Sequence, residues 1–316
     1  MTRAGATQFS SVFFVLYFLV VLIRGSPALA LEGAYSNYQP GGYGDFFVAY
    51  TPEPGFYVRN DVYHYAAEAE RSVLQGAAKV EASLDVVIES PTLFYMTNKS
   101  FLGAKYGLGA VIPITYVDIG LAASAANAQA STSDSRFGFG DPYLIPVSLF
   151  WNFGRFHINF YEGIAAPIGS YDSTRLANSG LNYWSFDTNL ALTYFNEETG
   201  TELSAVVGHI YNTENHDTDY QSGQEFHLDY MANQFVSETI AIGIHGYFHN
   251  QFTGDSGTGA ILGSFKAESA GVGPAFLWMT KIGDKKVSFS TKWIHEFHAD
   301  NRPEGDNFYF TVSTDF

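Results

Sequence analysis

The chain has 316 residues, a formal net charge of −16, 17% aromatic and 15% charged residues, and no cysteine. Such acidity argues against nucleic acid as a partner, because phosphates demand clusters of Lys and Arg, and the lack of cysteine excludes thiol catalysis, zinc–thiolate sites and disulfides. A charged fraction well below the roughly 25% of ordinary globular proteins, with 28 Phe and 21 Tyr, suits strands that carry one apolar face.

Residues 1–30 read as a secretory leader. Arg3 supplies the positive start, Val12 to Ile23 is an apolar run, and Ala28-Leu29-Ala30 offers a small-x-small cleavage site. The run is short for a spanning helix, which needs about 20 residues. Export without disulfides fits a Gram-negative envelope. Residues 31–53 follow, beginning "LEGAYSNYQPGGYGDFFVAY", rich in Gly and Tyr and without sustained alternation. They are expected to form a periplasmic segment or a plug inserted in a lumen.

From 54 to 316 the sequence is a series of period-2 segments, twelve in our reading, joined alternately by tight turns and longer polar stretches. This pattern predicts an all-β fold, a closed antiparallel transmembrane β-barrel of about 12 strands with short periplasmic turns and long outer loops. Tight turns are expected at 97–100, 152–155, 196–200, around 236–238 and at 282–286. Long connections are expected at 66–77, 119–140, 170–181, 213–223, 253–264 and 299–306. The stretch "AASAANAQASTSDSR", low in complexity, reads as a mobile loop. A soluble β-sandwich also alternates, but it has shorter strands and short turns at both ends. The last segment, "FYFTVSTDF", alternates to the final residue and is expected to close the cylinder against "GFYVRNDVYHY", since hydrocarbon tolerates no free sheet edge. Its terminal Phe resembles the signal that the outer-membrane assembly machinery reads. The expected setting is the bacterial outer membrane, with the lipid bilayer, that machinery and small-molecule solutes as partners.

Alternation also sorts the candidate lumen residues. "WSFDTNLALTY" turns Ser185, Asp187, Asn189 and Thr193 inward, "EFHLDYMA" turns Glu225, His227 and Asp229 the same way, and "IAIGIHGYFHNQ" does so with His245, Tyr247, His249 and Gln251. "KVSFSTKWIHEFH" adds Lys292, Glu296 and His298. With a turn centred near Val236, His227 faces His245 and Glu225 faces Tyr247, with His249 one step further out. The pore-lining candidates are therefore Glu225, His227, Asp229, His245, Tyr247, His249, Lys292 and Glu296. They make either a constriction that hydrogen-bonds a passing solute or a polar filling of the interior. Two His and one Glu can in principle hold a metal, yet neither metal nor cofactor is expected. Lys292 and Glu296, both inward, are expected to pair along the wall or across the lumen. Glu162 and His209 share parity with apolar neighbours, which points to a bulge or an interfacial position. A barrel hydrolase would need Ser, His and an orienting Asn or Asp at matched heights; no His-x-Ser lies on any segment, and no catalytic residues are assigned.

Several stretches in shared order, "GGYGDFFVAYTPEPGFYVRN" (41–60), "GFGDPYLIP" (138–146), "APIGSY" (166–171), "GLNYWSF" (180–186), "TDYQSGQEFHLDY" (218–230), "GYFHNQFTGDSG" (246–257), "GVGP" (271–274) and "HEFHADNRPEGD" (295–306), resemble the phenol-degradation meta-pathway family of outer-membrane proteins. The resemblance covers most of the chain after the leader. It implies an outer-membrane channel for aromatic or other hydrophobic compounds and brings no catalytic residues. The function expected is passive passage of small molecules, with a structural or adhesive barrel, or less readily a hydrolase, as alternatives.

Overall fold

The computed structural model describes residues 32, 36–73, 78–125, 128–261 and 263–315. The expected leader, 1–30, and Phe316 lie outside them. Fourteen strands follow in chain order: β1 (Gly55–Val73), β2 (Ala78–Phe101), β3 (Ala104–Val111), β4 (Ile114–Ala125), β5 (Ala128–Phe139), β6 (Tyr143–Phe153), β7 (Phe156–Ala165), β8 (Ser185–Asn196), β9 (Thr201–Asn212), β10 (Glu225–Phe235), β11 (Ile240–Gln251), β12 (Glu268–Ile282), β13 (Lys285–Asp300) and β14 (Glu304–Asp315). They form one antiparallel sheet, closed because β1 pairs with β14 on one side and with β2 on the other. Closure leaves no ladder edge facing hydrocarbon, where an unpaired backbone group has no water to turn to.

Fourteen strands make twelve staves. β3 and β4 are the two halves of one stave, interrupted at Ile112–Pro113, and both pair with β2. β5 and β6 are likewise one stave, interrupted at 140–142, pairing with β4 and β3 in turn. Pro113 and Pro142 have no N–H to give to a ladder, and the two breaks fall at the same height in adjacent staves.

Short connections lie at 102–103, 154–155, 197–200, 236–239 and 283–284, all at one end, the periplasmic end by the length rule. The first is not at 97–100. β2 runs on to Phe101 past a register shift between Met96 and Ser100, and the turn uses Leu102 and Gly103 at φ 50 and 76, the left-handed pair that suits a twisted hairpin.

Three expected loops are largely strand. The stretches 66–77 and 119–140 belong mostly to β1, β2, β4 and β5, and β13 and β14 leave only 301–303 between them. A strand of β2's 24 residues far exceeds the roughly 9–11 needed to cross a bilayer, so β1, β2, β4 and β5 stand well above it as a raised sheet. There the polarity inverts. Tyr63, Tyr65, Leu84, Val86, Ile88 and Val117 pack inward with Ala177, while Glu81, Asp85 and Glu89 are exposed. Outside the membrane the medium is water, and the apolar face turns to the interior.

At membrane height the ordinary rule holds. On β8, Ser185, Asp187, Asn189 and Thr193 are buried while Phe186, Leu190 and Leu192 are exposed to lipid. Glu162 stays on the outer face opposite a register shift between Leu144 and Val147, and accepts a hydrogen bond from Thr188 Oγ1 at 2.7 Å. His209 is exposed near the outer end of β9, beside Gln224 Oε1 at 2.9 Å.

Candidate functional site: the lumen and its N-terminal occupant

The polar inner faces of β8 to β14 would be open to water in an empty barrel; here they hold the chain's own N-terminal segment. Beneath the outer loops the Glu32 carboxylate accepts from Asn215 Nδ2 (2.9 Å) and Thr218 Oγ1 (2.6 Å), and its backbone N–H donates to Ser222 Oγ (3.2 Å). Burial pushes this carboxyl above its ordinary range, against the pull of those hydrogen bonds. Further down, Asn37 Nδ2 donates to Ser185 Oγ (2.6 Å), Tyr38 OH to Asp229 Oδ1 (2.7 Å), Tyr43 OH to Asp187 Oδ2 (2.6 Å) and Gly44 N–H to Asp229 Oδ2 (2.8 Å). Lower still, Phe47 N–H donates to Glu202 Oε1 (2.7 Å) and Ala49 N–H to Thr193 Oγ1 (3.2 Å). A segment with no regular structure thus has its backbone and side-chain groups satisfied by the wall.

A tight turn at Gln39–Gly42, closed by Gly42 N–H to Gln39 O (2.7 Å), lets the segment double back. Gly41 sits at φ 76, a left-handed conformation that favours glycine, and a Cβ there would lie 2.4 Å from Ile294 Cδ1 and force that side chain to shift. Lys292 fastens this turn: its Nζ donates to the carbonyls of Gly41 (2.6 Å) and Gly44, and stands 4.4 Å from the Tyr309 ring centroid. The expected Lys292–Glu296 pair is absent. Glu296 instead accepts from Tyr65 OH (2.9 Å), Gly305 N–H (2.7 Å) and Tyr247 OH, with Arg302 at 3.8 Å. Two positions along a strand differ in height, and each charge finds nearer partners at its own level.

Glu225, His227, Asp229, His245, Tyr247, His249, Lys292 and Glu296 are all buried in the interior. Their pairing differs from the expected one. His227 faces His249, Asp229 faces Tyr247, Met231 faces His245 and Glu225 faces Gln251. The turn is centred near 238, because Ser237 Oγ accepts the N–H groups of Thr239 (3.3 Å) and Ile240 (3.1 Å) and Val236 N–H closes on Ile240 O (3.0 Å). An even slip keeps every side chain on its face, which is why the inward set is unchanged. His249 meets Glu225 at 2.7 Å, His227 meets Asp187 at 3.2 Å and His245 meets Asn233 at 2.8 Å. Among the described residues no group of three or more His, Asp or Glu is placed to hold a metal. His298 is not inward: a register shift at Ala270/Gly271 accompanies its exposed pairing with Glu268 at 2.9 Å.

Sequence reasoning did not single out Tyr38, Tyr43, Asp45, Arg59, Asp187 or Glu202 as site residues. The inward parity of Asp187 was readable; the tyrosines of the N-terminal segment carried no periodic signal.

Beside the segment, on the side of β1, β2, β3, β6 and β7, runs a cavity of about 550 Å³. Pro113, Gly140, Asp141 and Leu181 line its outer end, Tyr57, Phe94 and Phe150 its periplasmic end. Midway, Arg59 bridges Asp45 (2.7 Å) and Asp61 (2.7 Å). At the wall breaks Asp141 accepts from Gly169 N–H (2.8 Å) and Leu181 N–H (2.6 Å), so "GFGDPYLIP", "APIGSY" and "GLNYWSF", distant in sequence, meet in one clasp. A Cβ on Gly169 would lie 2.7 Å from the Gly140 carbonyl carbon.

The family described as "Putative MetA-pathway of phenol degradation" matches residues 69–312. No curated protein matches the sequence. Among solved structures, an outer membrane channel from Pseudomonas putida F1 is similar, with a TM-score of 0.61 at 13% identity over 89% of this chain and 100% of that one. A FadL homologue from Pseudomonas aeruginosa reaches a TM-score of 0.42 at 8% identity over 93% and 96%. A family match over most of the chain and a closed cylinder with a lipid-facing exterior lead to one conclusion: the chain belongs to this phenol-degradation family and is a bacterial outer-membrane β-barrel.

Proposed function

We propose that this outer-membrane channel passes small, neutral, aromatic or apolar solutes down their gradient, through the cavity that runs beside the N-terminal segment. The observation that carries the reading is the cavity itself. It reaches from the wall breaks to the periplasmic end, its walls include Tyr43, Tyr57, Phe94, Phe150 and Tyr161, and its charges are Asp45, Asp61 and Asp141 against Arg59. Aromatic walls favour flat apolar solutes, and an acidic lining disfavours anions. In vesicles with a lipopolysaccharide outer leaflet, the purified protein should speed entry of phenol more than that of benzoate. Absence of any flux, or a preference for benzoate, overturns the reading.

One feature favours a second route. The breaks at Pro113 and 140–142 are flanked by the exposed side chains of Ile112, Phe139, Leu144 and Ile168, so the outer end of the cavity adjoins an apolar patch on the wall. Solutes exchanged between cavity and acyl chains would cross there. A charge in that patch, Leu144→Arg, should slow apolar solutes and leave small cations unaffected; equal slowing of both would exclude the wall route.

A further inference from the structure

One phenol ring recognised in the lumen, by stacking and by a carboxylate, belongs to the protein itself. The Tyr38 ring stacks against two imidazoles of the wall, His227 at 4.6 Å and 26° and His249 at 5.2 Å and 9°, and against Tyr43 of the segment at 5.6 Å and 24°, with the Tyr247 ring edge-on at 6.1 Å. Its hydroxyl donates to Asp229 Oδ1 (2.7 Å) and accepts from Gly41 N–H (3.2 Å). The hydroxyl acceptor and the stacking imidazoles stand on β10 and β11, where His227 faces His249 and Asp229 faces Tyr247 across a continuous ladder, and Ile210 of β9 and Ile294 of β13 pack beside them; the segment itself adds Tyr43 and the Gly41 N–H. What remains on the wall when the segment leaves is therefore the Asp229 carboxylate with the His227 and His249 rings, while the Tyr43 ring and the Gly41 N–H leave with the segment.

We propose that the Tyr38 slot is a binding site for an uncharged phenolic ring, and that a phenolic solute competes with Tyr38 for it and so frees the N-terminal segment from the lumen. This rests on the reading that solutes reach the lumen, and adds how the lumen's occupant answers to them. The chemistry of the slot sets its preference. Imidazoles that stack on a ring laid against the wall admit a flat aromatic body, and the Asp229 carboxylate asks for a hydroxyl donor. A benzoate would bring a second carboxylate against Asp229, with Asp187 and Glu225 nearby; toluene lacks the donor, and cyclohexanol lacks the flat ring. A solute shifts the equilibrium only because it binds the vacated slot and cannot bind the filled one. Tyr38 is tethered and competes as an internal ligand at an effective concentration in about the millimolar range, so solutes should act near that range.

The cysteine-free chain allows a direct test. Ser36 is buried, two residues from Tyr38, and its Oγ accepts the Tyr38 N–H at 3.0 Å. In full-length Ser36→Cys protein, labelling by a water-soluble maleimide should be slow. Addition of p-cresol should speed it, roughly tenfold at roughly nine times the dissociation constant for the vacant slot, as mass action requires. Benzoate, toluene and cyclohexanol should not, and Asp229→Asn should abolish the response. Should that variant lose its fold, Tyr38→Ala provides the check: p-cresol, not toluene, should raise its thermal midpoint. Unchanged labelling with p-cresol, or equal acceleration by toluene or benzoate, overturns the proposal. A response in labelling without solute flux would instead fault the transport reading alone.

Discussion

The two walls of the barrel treat the N-terminal segment differently. The wall from β8 to β13 is unbroken, with one register shift between β12 and β13, and it holds the segment through Asp187, Thr193, Glu202, Asp229 and Lys292. The wall from β2 to β6 is broken at two prolines, and much of the cavity runs along it. The contrast teaches that one barrel separates fastening from passage: charged hydrogen bonds with fixed geometry need straight ladders to set their spacing, while a passage needs a wall that leaves space. Toward the first wall the segment adds apolar contacts to its hydrogen bonds, Phe47 on Phe195 and Phe235 and Ala49 on Ala191, Val206 and Met231, and Tyr43, Phe46 and Tyr50 also line the cavity.

This division can be broken from either side. The largest effect is expected from Asp229→Ala, which leaves Tyr38 OH and Gly44 N–H without their acceptor. Losing a buried charged partner costs about 3–5 kcal/mol, and the result should be a loosened segment, read as a higher single-channel conductance. An unchanged conductance would mean that the first wall is not the fastener. Next, Asp141→Ala strands the N–H groups of Gly169 and Leu181 at a cost of about 2–3 kcal/mol. Here apolar solute entry should change while conductance to small ions stays as it was; a joint change of both would erase the distinction between the walls. Gly41→Ala imposes a left-handed alanine and a clash with Ile294, costing about 1–3 kcal/mol, and should lower the temperature at which the unboiled gel band converts to the boiled one. Smallest is Asp134→Ala at the exposed Arg175 pair on the raised sheet, which should cost at most about 1 kcal/mol and leave flux unaltered.

How far the residues alone reach is clear from particular strands. "EFHLDYMA" and "IAIGIHGYFHNQ" display their inward faces because burial on one side of a strand repeats every second residue. The pairing between them did not follow, since an even slip leaves that pattern intact, and the choice fell to the Ser237 turn. Likewise "AASAANAQASTSDSR" lacks the large apolar residues by which membrane strands are noticed, because the strands it builds stand above the bilayer.

Alternation, the apolar exterior and the closure of the last strand on the first were thus written into the local order of residues, through a period that any sheet must obey. Which strands break, which heights meet and what fills the lumen were decided only by the tertiary structure. The bonds concerned join residues such as Tyr38 and Asp229, 191 positions apart, and no local pattern encodes a contact that exists only once the cylinder has closed around it.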